Sequence, residues 1–342
     1  MRGKRRKQRK KIGVTLLVSG IVLLVLLFVF NDLRTSDADT CRIGILMSGN
    51  SRQEKLNGLK AGLRDLGYAS DSCEFLTYDA RDDVTLLVQK AEQLVQQEVD
   101  VIVSLGAVET LEVKRQLARA DRSVPVVFAG IAAPKELGLI SDYKHPGDIF
   151  TGVDNYHKDL SAKRLEMFVQ LLPDMERVII LYNGGVTASR ISLETTRQAA
   201  KTLSVPIVTY DLDEEGALKR LEGKLKKNDG ILVLPSYHIE ARTDALAALS
   251  LKHGVPLMGI FDQEVARGFL FGYGASYYSL GYQAARHVSA IVKGSAPNDV
   301  PVELPDTITF SVNDEVRKRL DVRINGELIR MANIVPHIAT DD

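Results

Sequence analysis

From residue 42 onward the chain alternates short β-branched runs with longer amphipathic stretches, and this alternation limits the fold more than any other feature. Residues 42–47, 73–78, 99–104 and 124–129 read as strands. Between the first two, Leu56, Leu59, Leu63 and Leu66 recur at spacings of three and four, the period of a helix with one buried face. Leu87, Ala91, Leu94 and Val95 mark the next such face. A second series starts after Pro146-Gly147, with strands at 149–153, 177–182, 206–210, 230–234 and 256–259 and helices at 158–172, 189–203, 216–226 and 239–253. An extended piece at 269–274, a helix at 279–293, a stretch punctuated by Pro297, Pro301 and Pro305, a strand at 307–312 and a helix at 314–320 close the sequence. Continuous apolar runs suit strands buried on both faces, as in parallel sheets flanked by helices. The pattern predicts two successive α/β units, each with its own sheet, with returning segments that cross between the lobes more than once.

The 342 residues carry 44 Lys+Arg and 44 Asp+Glu, a formal charge of zero. With 45% hydrophobic and 26% charged residues, the composition excludes a disordered, collagen-like or polytopic membrane protein. The zero conceals an asymmetry. Residues 1–11 hold eight basic residues and no acidic one, and residues 12–30 are nineteen residues without a charge. As a helix the second segment is about 28 Å long, close to the ~30 Å hydrocarbon core of a bilayer. It reads as an uncleaved transmembrane anchor with the basic tail in the cytoplasm and a linker at 31–41 leading outward. A cleaved signal peptide is the competing reading, but the apolar run is long for one and no small-residue cleavage site follows it. Without the tail, 36 basic face 44 acidic residues, so the body is acidic, about −8.

Cys41 and Cys73 each sit just before an apolar run, 43–47 and 75–78, at the starts of the first two strands. If those strands are neighbours in a parallel sheet, the cysteines start side by side and form a disulfide; otherwise they are two unrelated thiols. Two cysteines without matching histidines make a poor zinc site, and no metal or cofactor is expected.

No Walker-type phosphate loop, Gly-x-Gly-x-x-Gly, His-Glu-x-x-His or Gly-x-Ser-x-Gly occurs, and the six histidines are scattered. These absences speak against an enzyme and no catalytic residue is assigned. Ligands of open α/β sheets bind beyond the carboxyl ends of the strands. There the first unit offers Ser48, Asn50, Asp79, Gly106, Ala107 and Glu109, and the second Asn183, Thr187, Ser189, Ser236, Tyr237 and Asp262. Asp154, Tyr156 and Tyr273 complete the candidate ligand-binding set, with Tyr182, Phe261 and Tyr277 as further aromatic walls. Glu109 and Asp262 are candidates to pair with a ligand ammonium. Each also has a plain role: Gly, Asn, Asp and Ser are what βα turns need, and Thr187 or Ser189 suits a helix cap.

Five stretches then carry a likeness to a known family. They run Val99-Asp100-Val101-Ile102-Val103-Ser104-Leu105-Gly106, Val124-Pro125-Val126-Val127-Phe128-Ala129-Gly130 and Pro146-Gly147-Asp148-Ile149-Phe150-Thr151-Gly152-Val153. The others are 172–183, Leu-Pro-Asp-Met-Glu-Arg-Val-Ile-Ile-Leu-Tyr-Asn, and 310–320, Phe-Ser-Val-Asn-Asp-Glu-Val-Arg-Lys-Arg-Leu. In order and spacing they resemble the substrate-binding proteins of ABC transporters, of the tryptophan- and tyrosine-binding type. The resemblance covers residues 42–335 and implies the type I periplasmic-binding fold. That fold has two Rossmann-like lobes with parallel sheets, joined by hinge crossovers near Val153 and Gly272. Lobe I is expected at 42–153 plus about 275–308, and lobe II at 154–274 plus about 309–338. Where the family reads roughly Asn-Pro-x-Glu-x-Asn-Ser, this chain has Asn183-Gly184-Gly185-Val186-Thr187-Ala188-Ser189; Asn183 and Ser189 match, whereas Val186 and Ala188 replace polar residues. The implied function is a membrane-tethered, extracytoplasmic (periplasmic) binder of a small molecule, an amino acid or a related compound, working with separate permease and ATPase subunits and no nucleic acid. The alternative is a membrane-anchored sensor that reports its ligand to a partner protein.

Overall fold

The computed structural model describes residues 41–68 and 72–338. The basic tail, the apolar run at 12–30 and the linker up to residue 40 lie outside the described residues, and the expected anchor with them. Among the described residues no helix is long and apolar enough to cross a membrane.

Strands β1 (Cys41–Met47), β2 (Cys73–Asp79), β3 (Val101–Ser104), β4 (Val126–Ile131) and β5 (Phe150–Asp154) form one sheet in the order β2-β1-β3-β4-β5. All its neighbours run parallel. The second sheet contains β6 (Arg177–Tyr182), β7 (Ile207–Asp211), β8 (Asp229–Val233), β9 (Leu257–Gly259), β10 (Phe271–Gly274), β11 (Thr309–Val312) and β12 (Asn333–Ile334). Its order is β12-β11-β10-β9-β8-β6-β7. The run β7-β6-β8-β9-β10 repeats the topology of the first sheet. In this order the connections reverse between the first and third strands, which opens a crevice at their carboxyl ends. Each lobe therefore brings one crevice to the cleft, at β1/β3 and at β6/β8.

The side chains explain the layering. Every residue of β3 and β4 is buried, as their unbroken apolar runs require when helices cover both faces. Leu87, Ala91, Leu94 and Val95 are buried in the Val84–Val95 helix, as their period predicts. Leu66 departs from its expected face: the Gln53–Asp65 helix ends before it, and Leu66 is exposed. The helix expected at 239–253 is two, Tyr237–Glu240 and Thr243–His253: the backbone leaves the helical region at Arg242 (φ −102°, ψ 13°), and the Thr243 hydroxyl donates to the Glu240 carbonyl at 2.6 Å across the break. The second sheet is not wholly parallel either, since β11 runs antiparallel to β10. After β10 the chain crosses to the first lobe, forms the Tyr277–Val292 helix there, and returns to enter the second sheet from the opposite end. On the return, Glu303 clips onto β5: its N–H donates to the Gly152 carbonyl at 3.0 Å, and its carbonyl accepts from the Asp154 N–H at 2.9 Å.

Two features fix the first lobe. Cys41 and Cys73 stand opposite each other at the starts of β1 and β2 and are bonded, with Cα atoms 4.5 Å apart. The Gln53–Asp65 and Tyr277–Val292 helices meet backbone to backbone along a glycine seam. A Cβ at Gly281 would lie 1.9 Å from the Lys55 carbonyl oxygen, and one at Gly58 would lie 2.0 Å from that of Tyr278. Only glycine permits this approach.

Gly281→Ala is expected to lower unfolding stability by at least the ~1–3 kcal/mol of an overpacked core, measured by denaturant titration. Gly326→Ala, whose Cβ meets nothing within 4 Å, should change little. Reduction of the disulfide should cost about 3–4 kcal/mol by the chain-entropy account, read as a fall in the melting temperature on adding reductant.

Candidate ligand-binding site

A cavity of about 250 Å³ lies where the two crevices face each other. The N-terminus of the Ala107–Ala120 helix opens on it from the first lobe and that of the Thr187–Leu203 helix from the second. Such ends present unpaired N–H groups and favour a negative ligand group. The Thr187 end is aimed by its loop. The Gly184 N–H donates to Asp211 at 3.0 Å and the Gly185 N–H to Asp213 at 3.1 Å. A Cβ on Gly184 would collide with Asp211 at 2.3 Å. The Asn183-Gly184-Gly185 segment is thus a turn pinned by two aspartates. Leu111, Leu137, Val186, Ala188 and Ile239 give the cavity apolar walls.

Polar side chains on these walls are buried and unevenly matched. Lys55 donates to the main-chain carbonyls of Leu105 (2.9 Å) and Gly130 (2.8 Å), and its ammonium lies 4.7 Å from the centre of the Tyr277 ring. None of these partners is a carboxylate. Burial, followed by the neighbouring Arg52 charge, pulls its pKa down to about 7. Glu264 is the converse. One of its oxygens accepts the N–H groups of Ile260 (2.6 Å) and Phe261 (3.0 Å), and burial raises its pKa to about 7.

His157 adds a directed donor. Arg164 donates to its Nδ1 at 3.1 Å, and a guanidinium cannot accept, so Nδ1 is the acceptor and the proton sits on Nε2. Burial and the Arg164 charge hold the ring neutral, well below the usual histidine pKa. Nε2 is buried without a partner, and His157 lines the cavity. Arg164 is itself held by the carbonyls of Tyr273 (2.7 Å) and His157 (2.8 Å).

The lobes also touch directly. Arg52, from the first lobe, donates to Glu240 of the second at 2.9 and 3.2 Å, and to Glu109 at 3.3 Å and the Tyr277 hydroxyl at 2.9 Å. Tyr277 in turn donates to Glu240. Tyr237 of the second lobe donates to Asp82 of the first at 3.0 Å.

Of the residues named from the sequence, Gly106, Ala107, Thr187, Ser236 and Tyr237 line this cavity. Glu109 stands just behind it, accepting from Arg52 and from the Ser48 N–H (3.0 Å). Asn50 lines the outer part of the cleft. Several others are engaged in turns or the core. Asp79 caps the Arg81 N–H (2.8 Å), and Asp154 accepts from Tyr143 and from the Tyr156 N–H (2.8 Å). Ser189 accepts the Asn183 N–H at 2.9 Å, and Asn183 donates to Asp213 at 2.6 Å. Asp262 accepts the Gln263 N–H at 3.1 Å, and Tyr273 packs on the second-lobe core. Phe261 and Tyr277 form an aromatic wall, their ring centres 4.2 Å apart. Arg52, Lys55, Asn155, His157, Glu240 and Glu264 line the cavity without having been singled out.

A family model described as ABC transporter substrate binding protein matches residues 41–335. The tyrosine-binding protein of Clostridioides difficile (strain R20291) is 22% identical over 295 residues, 85% of this chain and 84% of that protein. The structure of an ABC domain from Streptococcus pneumonia in complex with L-Trp aligns with a TM-score of 0.77 at 21% identity, covering 86% of this chain and 99% of that one. The ligand-free, open structure of a substrate-binding protein with adhesive properties from Clostridium difficile gives 0.68 at 17% identity, covering 87% and 100%. At these identities the structural likenesses speak for the fold.

The two unmatched charges make a pH signature. Between pH 4.5 and about 7 the folded state retains a proton on Glu264 that the unfolded chain has lost, so this contribution to stability falls as pH rises. Between about 7 and 10.5 the unfolded chain keeps a proton on Lys55 that the folded state has lost, so this contribution rises with pH. These two contributions alone sum to a minimum near neutral pH; the buried, neutral His157 adds a slope of opposite sign below about pH 6.5, so the signature is read as the difference between wild type and variant. Denaturant unfolding across this range is expected to show that Glu264→Gln removes a fall in stability between pH 4.5 and about 7, and Lys55→Met a rise between about 7 and 10.5, each taken relative to wild type.

Proposed function

The chain belongs to the ABC transporter substrate binding proteins, and on that premise we propose that it is the extracytoplasmic component of an uptake system that holds an amino acid, or a closely related zwitterion, between its lobes. The observation that carries this reading is the opposition of Lys55 and Glu264. Two buried groups of opposite sign line one cavity, each lacking an ion-pair partner of its own within hydrogen-bonding reach. A ligand carboxylate supplies the counter-ion for Lys55, with the His157 Nε2–H and the helix N-termini as further donors. A ligand ammonium does the same for Glu264. Charge-assisted hydrogen bonds of this kind are roughly twice as strong as neutral ones.

The apolar walls leave room for a side chain. The 250 Å³ volume lies just under the ~300 Å³ at which pockets for larger ligands begin, which favours a single amino acid over a peptide. The ligands named for the Clostridioides and Streptococcus proteins, tyrosine and L-Trp, point to an aromatic side chain here as well. In this reading lobe I comprises 42–153 plus about 275–308, and lobe II 154–274 plus about 309–338. The segment at 12–30 tethers the protein to the outer face of the cytoplasmic membrane, beside a permease and its ATPase. The disulfide suits an oxidising exterior.

Native mass spectrometry of the purified residues 41–342, followed by thermal shift with the twenty amino acids, tests the reading. A neutral, apolar or aromatic amino acid should raise the melting temperature, because a ligand that binds only the native state stabilises it. Lys55→Met and Glu264→Gln should each weaken that ligand by roughly tenfold or more, as expected for a lost hydrogen bond to a charged group. If no amino acid shifts the melting temperature of the folded domain, the zwitterion reading falls.

A further inference from the structure

The guanidinium of Arg52 lies between two aromatic rings, with its central carbon 5.4 Å from the centroids of both Tyr237 and Tyr277. That is within the ~6 Å over which a cation is attracted to a ring face. Its N–H groups are taken by two carboxylates and a phenol, Glu240, Glu109 and Tyr277. Two aromatic faces and two carboxylates, Glu109 buried and Glu240 partly exposed, drawn from both lobes, are the chemistry of a receptor for an organic cation. The occupant here is a side chain of the protein itself.

The position of this cage gives it a consequence. Beyond the inner cavity lies an outer space of about 670 Å³, bounded by Asn50, Glu54 and Asp82 of the first lobe and by Arg267 of the second, among others. Tyr237, Glu240, Phe261, Glu264 and Tyr277 line both spaces, and Arg52 lines the inner one. The filled cage is therefore the partition between them.

We propose that Arg52 is a built-in surrogate for the cationic head of a solute: it fills the cage, closes the inner cavity to its small volume, and sets specificity against solutes with a guanidinium or ammonium side chain. Such a solute meets a site already occupied and a like charge, so the discrimination is by exclusion as much as by fit. The inference rests on the reading of the cleft as the solute site, and it names the residue that limits the size and charge of what enters.

The test empties the cage. Both variants leave Glu109 and Glu240 without their counter-ion and lower stability; Arg52→Met keeps the aliphatic stem packed and vacates only the head-group position, whereas Arg52→Ala empties the stem's space as well. Millimolar guanidinium chloride, compared with equal sodium chloride, is expected to raise the melting temperature of both variants and not that of the wild type. Arginine should bind the variants roughly tenfold or more tightly than it binds the wild type by calorimetry. The wild type should prefer methionine to lysine or arginine. A folded variant indifferent to guanidinium, or a wild type that binds arginine as well as methionine, overturns the proposal. If neither variant folds, the wild-type comparison decides. If guanidinium stabilises the variants while the wild type takes no zwitterion, the cage stands and the solute reading falls.

Discussion

The contact on which the rest of the site depends is the glycine seam between the Gln53–Asp65 and Tyr277–Val292 helices. Gly58, Gly62 and Gly281 let two backbones meet where any side chain would drive them apart. The seam fixes more than a packing distance. Arg52 and Lys55 stand at the start of one helix and Tyr277 opens the other, so their mutual geometry is set by main chain rather than by long side chains. A site built this way is positioned by the stiffest parts of the fold, and its polar groups inherit that rigidity.

Rigidity has an electrostatic cost here. Arg52, Lys55, Glu109, Arg164 and Glu264 are all buried, and removing a charge from water is unfavourable unless partners replace the lost hydration. The fold meets this unevenly. Arg52 has carboxylates on either side, and Arg164, drawn down to about 9 by burial yet still charged at neutral pH, has carbonyls and a histidine nitrogen. Lys55 and Glu264 are left short. A protein selected only for stability would have repaired them with apolar residues; in the proposed reading they are kept because a ligand supplies the missing partners.

Much of this architecture was legible in the residues. Unbroken β-branched runs marked strands buried on both faces, and the offsets of Cys41 and Cys73 from the first two strands pointed to the observed register. The site was harder to read. Asp79, Asp154 and Asn183 sit at strand ends and Ser189 in the first turn of the following helix, all with the right chemistry; but Asp79, Asp154 and Ser189 accept nearby backbone N–H groups and Asn183 donates to Asp213, roles that leave the same signature in sequence. Lys55 and Arg164 were hidden for another reason. Lys55 adjoins Leu56 on the stripe that continues through Leu59 and Leu63, and Arg164 stands beside Leu165 and one turn before Phe168, so each charge lies on an apolar face. A charge out of pattern on such a stripe is a usable signal for a buried ion. His157 carries no local signal, since its tautomer is dictated by Arg164, seven residues on.

The disulfide has a mechanical meaning. Cys41 is the first residue of β1, and β1 is hydrogen-bonded on both sides, to β2 and β3. Any pull arriving along the chain ahead of it meets the covalent link to Cys73 before it meets the ladder. Tension is then shared between two parallel strands and their hydrogen bonds, instead of falling on β1 alone. Reduction would leave β1 to bear the same load through its own hydrogen bonds alone, with the first of them, at Cys41, reached before those nearer Met47 and the edge of the binding cleft.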